Sequence, residues 1–489
     1  MVDARPVAAA PPSPRRRGPT PHAGTLWRHA DFRRLWGADT ASQLGVALGS
    51  LAIPYLAVTV LHATQFEMGL LTTLQMLGFL VVGLPAGALI DRRSKRRVMM
   101  TADVGRALLL GTVVAASAFG VLTLAQVMVV ATAVGVLTVF FDVSYQSYLP
   151  LLVDRDQVVE GNAKLQATQS VSQLAGPAVG GLLLTRLGAA TVIGINGVGY
   201  LASAVGLWRI RHREEPPPPR TAGESLRTEI AEGLRFIVGH RLLRRLIACT
   251  GLSNLFSMGT GALVVLYMVR DLHLSAFVIG VVDSVAAVGG LAGAAVAGRL
   301  ARRLGEGGSI LATAVAFVAL GFCTPLASVL PPVPVLVVGG LGMSAAVVAY
   351  NIATVSFRQR LCPPRLLGRM NASARFLVWG TGPIGAFLAG ALSTGIGVPA
   401  TLWVFAAGSA LCLVPVASPT VWRLRRLPSH DDGDAPDPAP ADPSSPSGAP
   451  TTATDLGTGS GATEPAEVHP PLRQDAISPA TADRGTVQP

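Results

Sequence analysis

Gly87-Ala-Leu-Ile-Asp-Arg-Arg-Ser-Lys-Arg-Arg97 closes the second long apolar run of the chain and decides its class. Asp91 and the bases Arg92, Arg93, Lys95, Arg96 and Arg97 stand directly against a segment of membrane length. Such a cluster cannot lie in hydrocarbon, so the chain leaves the bilayer here, on the face that collects positive charge. A weaker copy, Gly298-Arg-Leu-Ala-Arg-Arg-Leu-Gly305, follows another apolar run 211 residues later (298 − 87). Asn162-Ala163 and Gly176-Pro177 return as Asn371-Ala372 and Gly382-Pro383, offset by 209 and 206 residues. One half of the chain is a divergent copy of the other. Duplicated multi-span halves are the construction of secondary transporters.

Composition agrees. Mean hydropathy is +0.49, 50% of residues are hydrophobic and only 14% are charged, which excludes an ordinary soluble domain. Twelve apolar runs, each roughly 17–25 residues and long enough for ~30 Å of hydrocarbon, are read at 36–60, 67–90, 98–118, 122–145, 163–185, 189–208, 246–268, 275–298, 308–328, 333–355, 371–392 and 399–418. The expected fold is an all-α membrane protein, with twelve transmembrane helices as two six-helix repeats around a central cavity. The net charge of +11 is carried by alternate loops: the N-terminal tail, 91–97, 155–164, 209–245, 299–303, 358–369 and 423–426. That asymmetry is the positive-inside rule, and it predicts both termini in the cytoplasm of a bacterial plasma membrane. No basic stripe interleaved with aromatics suggests nucleic acid. Cys249, Cys323, Cys362 and Cys412 are isolated and form neither a disulfide framework nor a zinc site. No signal peptide precedes the first run, which therefore directs insertion itself.

The expected organisation has five parts. Residues 1–35 form a cytoplasmic and largely disordered tail, 36–208 a first six-helix bundle, 246–420 a second bundle, and 428–489 a disordered cytoplasmic tail poor in large apolar residues. Between the bundles, 209–245 opens with Glu214-Glu215 and Pro216 to Pro219. It continues with Leu226, Ile230, Leu234 and Ile237 at spacings of three and four among charges, the pattern of an amphipathic helix.

With twelve spans, a central loop and Gly-x-Leu-x-Asp-Arg after the second span, the chain resembles the major facilitator superfamily. Phe32-Arg-Arg-Leu-Trp36, Phe141-Asp142, Leu149-Pro-Leu-Leu-Val153 and Glu232-Gly-Leu-Arg-Phe236 are similar to the bacterial branch of macrolide and enterobactin exporters. The resemblance covers roughly residues 30–420. It implies alternating access, driven outward by proton entry. Ser94 stands where the family signature has Gly, and Arg302 stands in the second copy where the first has its acid, so only the first half carries the full charge network.

The signature is expected to work as a latch of Asp91, Arg92, Arg96 and Asp142. A carboxylate at one helix end can accept from the exposed N–H groups of another span's N-terminus; the resemblance implies the eleventh span near Asn371. Arg92 or Arg96 would pair with Asp142. In the fifth span, Gly176, Pro177, Gly180 and Gly181 resemble an exporter-type glycine–proline motif, and ordinary close packing of small residues explains them equally well. Polar residues within spans are the candidates for coupling or a substrate pathway: Asp39, Gln43, Gln75, Asp103, Arg106, Asn254 and Asp283. Asp103 and Arg106, three residues apart, read chiefly as a structural ion pair, and each amide reads more readily as an interhelical hydrogen bond than as a ligand contact. Asp283, deep in the eighth span and costing about 2.5–3.5 kcal/mol there, is expected to face the central cavity.

The favoured function is a secondary exporter of small amphipathic organic molecules such as antibiotics, secondary metabolites or siderophores, coupled to protons and needing no cofactor or metal. A monomer in the lipid bilayer suffices. An uptake permease of the same fold for a small polar nutrient is the alternative. Lys95 and Lys164 are the only lysines, and neither follows a phosphate-cradling glycine loop; His-Glu-x-x-His and Gly-x-Ser-x-Gly are both missing, so neither an ATP-driven pump nor a membrane enzyme is expected. Tags inserted at residue 10, within 216–222 and after residue 430 will all be protected from externally added protease in intact cells. An externally cleaved tag at 216–222 would break the two-half topology.

Overall fold

The computed structural model describes Leu26, residues 29–90, 93–154, 157–212, Glu214, 226–362 and 366–418. The predicted C-terminal tail and the Pro216–Pro219 stretch lie outside these residues, as do Asp91 and Arg92; the first helix begins at Ala30, so the last six residues assigned to the N-terminal tail belong to the first span. The described residues are helical almost throughout. Nine of their helices are long and apolar enough to cross a membrane. One of these, Ala276–Leu326, is two spans joined at Gly305, whose φ of 78° lets the chain reverse without a loop. Gln65–Ile90 and Val158–Leu187, of 26 and 30 residues, complete the twelve.

In chain order the spans are Ala30–Thr59, Gln65–Ile90, Lys95–Ala118, Leu124–Leu152, Val158–Leu187 and Ala189–Trp208 in the first half. The second half has Arg241–Arg270, the two limbs of Ala276–Leu326, Pro332–Leu361, Arg369–Ile396 and Val398–Val416. Several helices outrun the apolar segments that predict them. The fourth ends at Leu152 and the tenth at Leu361, six or seven residues beyond the apolar stretch. The added turns carry residues such as Arg358 and Arg360, whose long side chains let a helix extend past the hydrocarbon. The linker helix is Leu226–Gly239. It lies against the start of the eleventh span, where Glu232 pairs with Arg369 and Ile237 is buried beside Met370.

The repeat is visible in backbone detail. Among the described residues, His62 and His273 are the non-glycine residues of positive φ, at 51° and 52°, and stand 211 residues apart (273 − 62). Gly188 and Gly397, at φ 79° and 82° and 209 residues apart, open the sixth and twelfth spans. Each histidine precedes a cap: Thr64 bonds with Glu67 at the head of the second span, and Ser275 accepts from the Val278 N–H at the head of the eighth.

The halves meet where these two helices cross the other half. The second span crosses the eleventh at Gly69, where a Cβ would stand 2.6 Å from Gly390 Cα and 2.7 Å from the Ala386 carbonyl oxygen. The eighth crosses the fifth at Gly280, where a Cβ would strike the Pro177 carbonyl. Gly69 and Gly280 are again 211 residues apart. One turn further on, Thr73 donates to the Pro383 carbonyl at 3.2 Å, and Ser284 accepts from the Ala178 N–H at 2.9 Å. Here Gly176, Pro177, Gly180 and Gly181 find their places. Side chains on the three glycines would collide with Ala47, Leu48 and Ala276, so the motif seats the fifth span against the first and the eighth at once.

The core follows from these crossings. One hydrophobic cluster runs across both halves, from Leu56, Met68 and Leu71 to Leu263, Ile279 and Leu402, at the face opposite the basic loops. Towards the basic face it divides. Phe32, Leu35, Tyr148 and Leu149 belong to a first-half cluster, whereas Leu243, Phe357 and Met370 belong to a second-half one.

Gly280→Ala will lower the thermal stability of purified protein, because adding a methyl to a tight contact costs about 1–3 kcal/mol. Gly37→Ala, where nothing lies within 4 Å of the new Cβ, will leave it unchanged or slightly raised. Equal melting of both variants would remove the crossing as a requirement.

Candidate transport pathway

Helix rotation sets which polar residues reach the seam. On the fourth span Phe141, Ser144 and Tyr148 are buried in the first half, so Asp142 and Gln146, four apart, present a neighbouring face. On the eleventh, Met370 and Ala374 are buried, and Asn371, Arg375 and Trp379 form a stripe at four-residue spacing. These two stripes and Leu80 of the second span enclose a cavity of about 270 Å³ between the halves. Asp142 and Arg375 thus bring opposite charges from opposite halves to one space, and Arg375 and Arg106 are the cations whose field reaches Asp142.

Of the two latch partners expected for Asp142, Arg92 lies outside the described residues and Arg96 is engaged elsewhere. Arg96 does not meet it. The Arg96 guanidinium donates to the Ile210 carbonyl, and its backbone N–H donates to Glu214 at 2.8 Å. Glu214 also accepts from the Lys95 N–H at 2.7 Å and the Ser94 hydroxyl at 2.9 Å, so its carboxylate caps the third span. Asp31, at the head of the first span, accepts from the N–H groups of Arg211 and His212 at 3.1 and 3.0 Å. The signature loop is therefore tied to the start of the linker. Asp142 instead lines the seam cavity with Asn371 and Arg375. Neither Glu214 nor Arg375 was singled out for a partner by the sequence, although the i, i+4 stripe of Asn371, Arg375 and Trp379 was there to be read.

Asp103 and Arg106 form a buried ion pair inside the first half. Phe141 and Tyr200 sandwich the guanidinium at 4.5 and 4.1 Å, and Thr138 accepts from it at 3.3 Å. Aromatic faces on both sides satisfy the cation and hold it still. Asp39 and Gln43 line a separate polar cavity of about 440 Å³ with Tyr145 and with Asn162, Gln166 and Gln169 of the fifth span. Asp39 is buried, with one carboxylate oxygen lacking a partner among the described residues. Asn254 donates to the Val378 carbonyl at 2.8 Å and to Thr381 at 3.3 Å, joining the seventh span to the eleventh. Gln75 is half-buried on the second span, where its own carbonyl leaves room only for Gly135 of the fourth. Asp283 is not at the seam. It lines a cavity bounded wholly by second-half helices, because the neighbouring face of the eighth span, at Gly280 and Ser284, is the one turned to the fifth.

Two six-helix repeats meeting around a polar seam agree with residues 23–446, which match the sequence profile of the transmembrane secretion effector family. The chain belongs to that family of the major facilitator superfamily. Among curated relatives, the multidrug efflux pump Tap of Mycolicibacterium fortuitum is 27% identical over 80% of this chain and 96% of its own length. Macrolide efflux protein A of Streptococcus pyogenes is 23% identical over 81% and 97%. Among solved structures, a mutant of the nucleoside transporter NupG superposes with a TM-score of 0.64 at 15% identity, covering 79% of this chain and 99% of that one. A bacterial homologue of the iron transporter ferroportin gives 0.63 at 16%, over 80% and 98%. At such identities these two establish the fold alone. Family and relatives are transporters rather than enzymes, and this chain is a multi-pass transporter of their superfamily.

For a facilitator of this kind, charges at the seam report on each other. Asp142→Asn and Arg375→Gln will each lower transport about tenfold, roughly 1.4 kcal/mol. The exchanged pair Asp142→Arg with Arg375→Asp will recover part of that loss at equal expression. Additive losses in the double variant would show that the two charges act separately.

Proposed function

We propose that the protein exports small amphipathic organic molecules from the cytoplasm by alternating access, with proton entry as the driving force. One observation carries this reading. The hydrophobic core is continuous between the halves at the face away from the basic loops and divided at the basic face. Such a protein is shut on one side, with its seam cavity towards the other. The basic loops identify that other side as the cytoplasm, so the state is one that loads from inside. The lining of the seam suits an amphipathic molecule: Trp379, Phe376, Leu80 and Val139 supply apolar wall, and Asp142, Arg375, Asn371 and Gln146 supply a few polar contacts. The names of the Tap and macrolide relatives support the outward direction and the drug-like class of cargo.

Turning the seam outward requires the two halves to rock about the glycine crossings, parting the contacts at Gly69 and Gly280 while closing Asp142 and Arg375 together. The seam cations are then well placed to sense protonation of Asp142. A neutral carboxyl releases Arg375, and an ionised one holds it.

Cells loaded with a fluorescent amphipathic substrate will lose it faster when they express the protein, and a protonophore will abolish the difference. Accumulation faster than in control cells would instead favour the uptake permease, and efflux insensitive to the protonophore would remove the proton.

A further inference from the structure

Inside the second half, the seventh to tenth and the twelfth spans enclose a cavity of about 340 Å³. Phe256, Phe317, Phe405, Leu336 and Met343 give it apolar walls, and Asp283 is the only charged residue in its lining. Phe256 and Phe405 meet edge to face, 5.6 Å between ring centroids. The helix bearing Asp283 begins at Ala276; seven residues of rise place the carboxylate about 10 Å below that end, deep in a layer of ~30 Å.

Two other acids of the spans have cations near them, and a third, Asp39, sits in a polar cavity with Gln43 and Tyr145 rather than between apolar walls. Asp103 is paired with Arg106, and Asp142 lies in the field of Arg106 and Arg375. Among the described residues no Lys, Arg or His stands against Asp283. Nor does the helix need a charge at this point. The offset of 211 residues that relates Gly280 to Gly69 and Ser284 to Thr73 relates Asp283 to Thr72. Thr72 only returns its hydroxyl to the Met68 carbonyl at 3.1 Å, so the first half builds the same crossing with a neutral residue. Asp283 is a departure from the repeat, made where it costs most.

A solitary carboxylate among aromatic rings, in a largely apolar cavity whose other polar side chains, such as Thr260 and Ser344, are neutral, favours a ligand that is apolar and positively charged. We propose that this cavity binds lipophilic monovalent cations, with an amine or onium group held between Asp283 and the faces of the surrounding phenylalanines. The site names a substrate class for the efflux reading and rests on that reading for its purpose, though not for the binding itself. The apolar body of such a ligand occupies the space beside Leu336 and Met343, and its charge replaces the missing partner of Asp283. Shape alone would admit anions and neutral molecules of the same size; the carboxylate sorts them.

The test uses full-length protein in lipid nanodiscs with tetraphenylphosphonium and tetraphenylborate, ions of one shape and opposite charge, measured by equilibrium dialysis. Dialysed separately, because the two ions precipitate each other, the phosphonium will bind and the borate will not. Asp283→Asn will weaken phosphonium binding by roughly thirtyfold or more, the scale for losing one partner of a desolvated charge pair, and Asp283→Glu will retain most of it. Asp283→Thr, the residue the first half already uses, serves as a second neutral variant, with thermal melting as the check on folding. Undiminished phosphonium binding in a folded neutral variant overturns the proposal, as does preference for the borate. Failure of both neutral variants to fold also overturns it, by making Asp283 a structural group. Phosphonium binding in a protein that exports nothing would sink the efflux reading and leave this site standing; efflux with binding blind to charge would do the reverse.

Discussion

Two helix crossings, of the second span over the eleventh at Gly69 and of the eighth over the fifth at Gly280, hold this molecule together. Lipid tails are as apolar as leucine, so helices in a bilayer gain nothing from hiding hydrophobic surface from one another; close packing must do the work. Removing the Cβ at each crossing lets backbone meet backbone, and one hydroxyl contact follows a turn later, from Thr73 and from Ser284. The fifth and eleventh helices, against which the crossing helices rest, carry the Gly-Pro pairs Gly176-Pro177 and Gly382-Pro383. Each helix is held from behind as well. A Cβ at Gly180 would strike Leu48 of the first span, and one at Gly385 would strike Leu255 of the seventh. The inter-half contact is thus made twice, each time by a glycine with a hydroxyl residue one turn on, although Thr73 donates where Ser284 accepts.

That placement explains what the sequence discloses and what it withholds. Spans, repeat and linker helix were legible because hydropathy and charge act on each segment locally: Gly87–Arg97 must leave the bilayer whatever lies beside it. Even the crossings left a trace, in the recurrence of Gly176-Pro177 as Gly382-Pro383. Partners across the seam were less legible, since they depend on how each helix is rotated. Asp142 and Arg96 lie at the same end of the membrane, which invites a pairing. Yet the residues that turn Asp142 to the seam, Phe141 and Tyr148, act through packing inside the first half. Arg96 is instead taken up by Ile210 and by the loop capped by Glu214. That carboxylate comes from more than a hundred residues away, and no local pattern announces it. Depth was readable for Asp283; the direction of its side chain was not.

The two halves share a backbone plan and differ in what fills it. The first half is wired by charge: Asp103 and Arg106 are buried together, with the guanidinium between Phe141 and Tyr200 and its field reaching Asp142. The ninth span, counterpart of the third, has no charged residue between Glu306 and Gly321 and instead contributes Phe317 to the wall of the second-half cavity. An ion pair fixed between aromatic rings resists rearrangement, because moving either charge into hydrocarbon costs several kcal/mol. Apolar walls around an open cavity carry no such penalty and can repack around guests of different shape. A transporter with one half stiffened by an internal charge network and the other adaptable can keep its gating geometry constant while tolerating varied cargo. On the reading proposed above, the first half would time the cycle through Asp142 and the second half would sort the cargo, with Arg375 of the eleventh span at the seam between them.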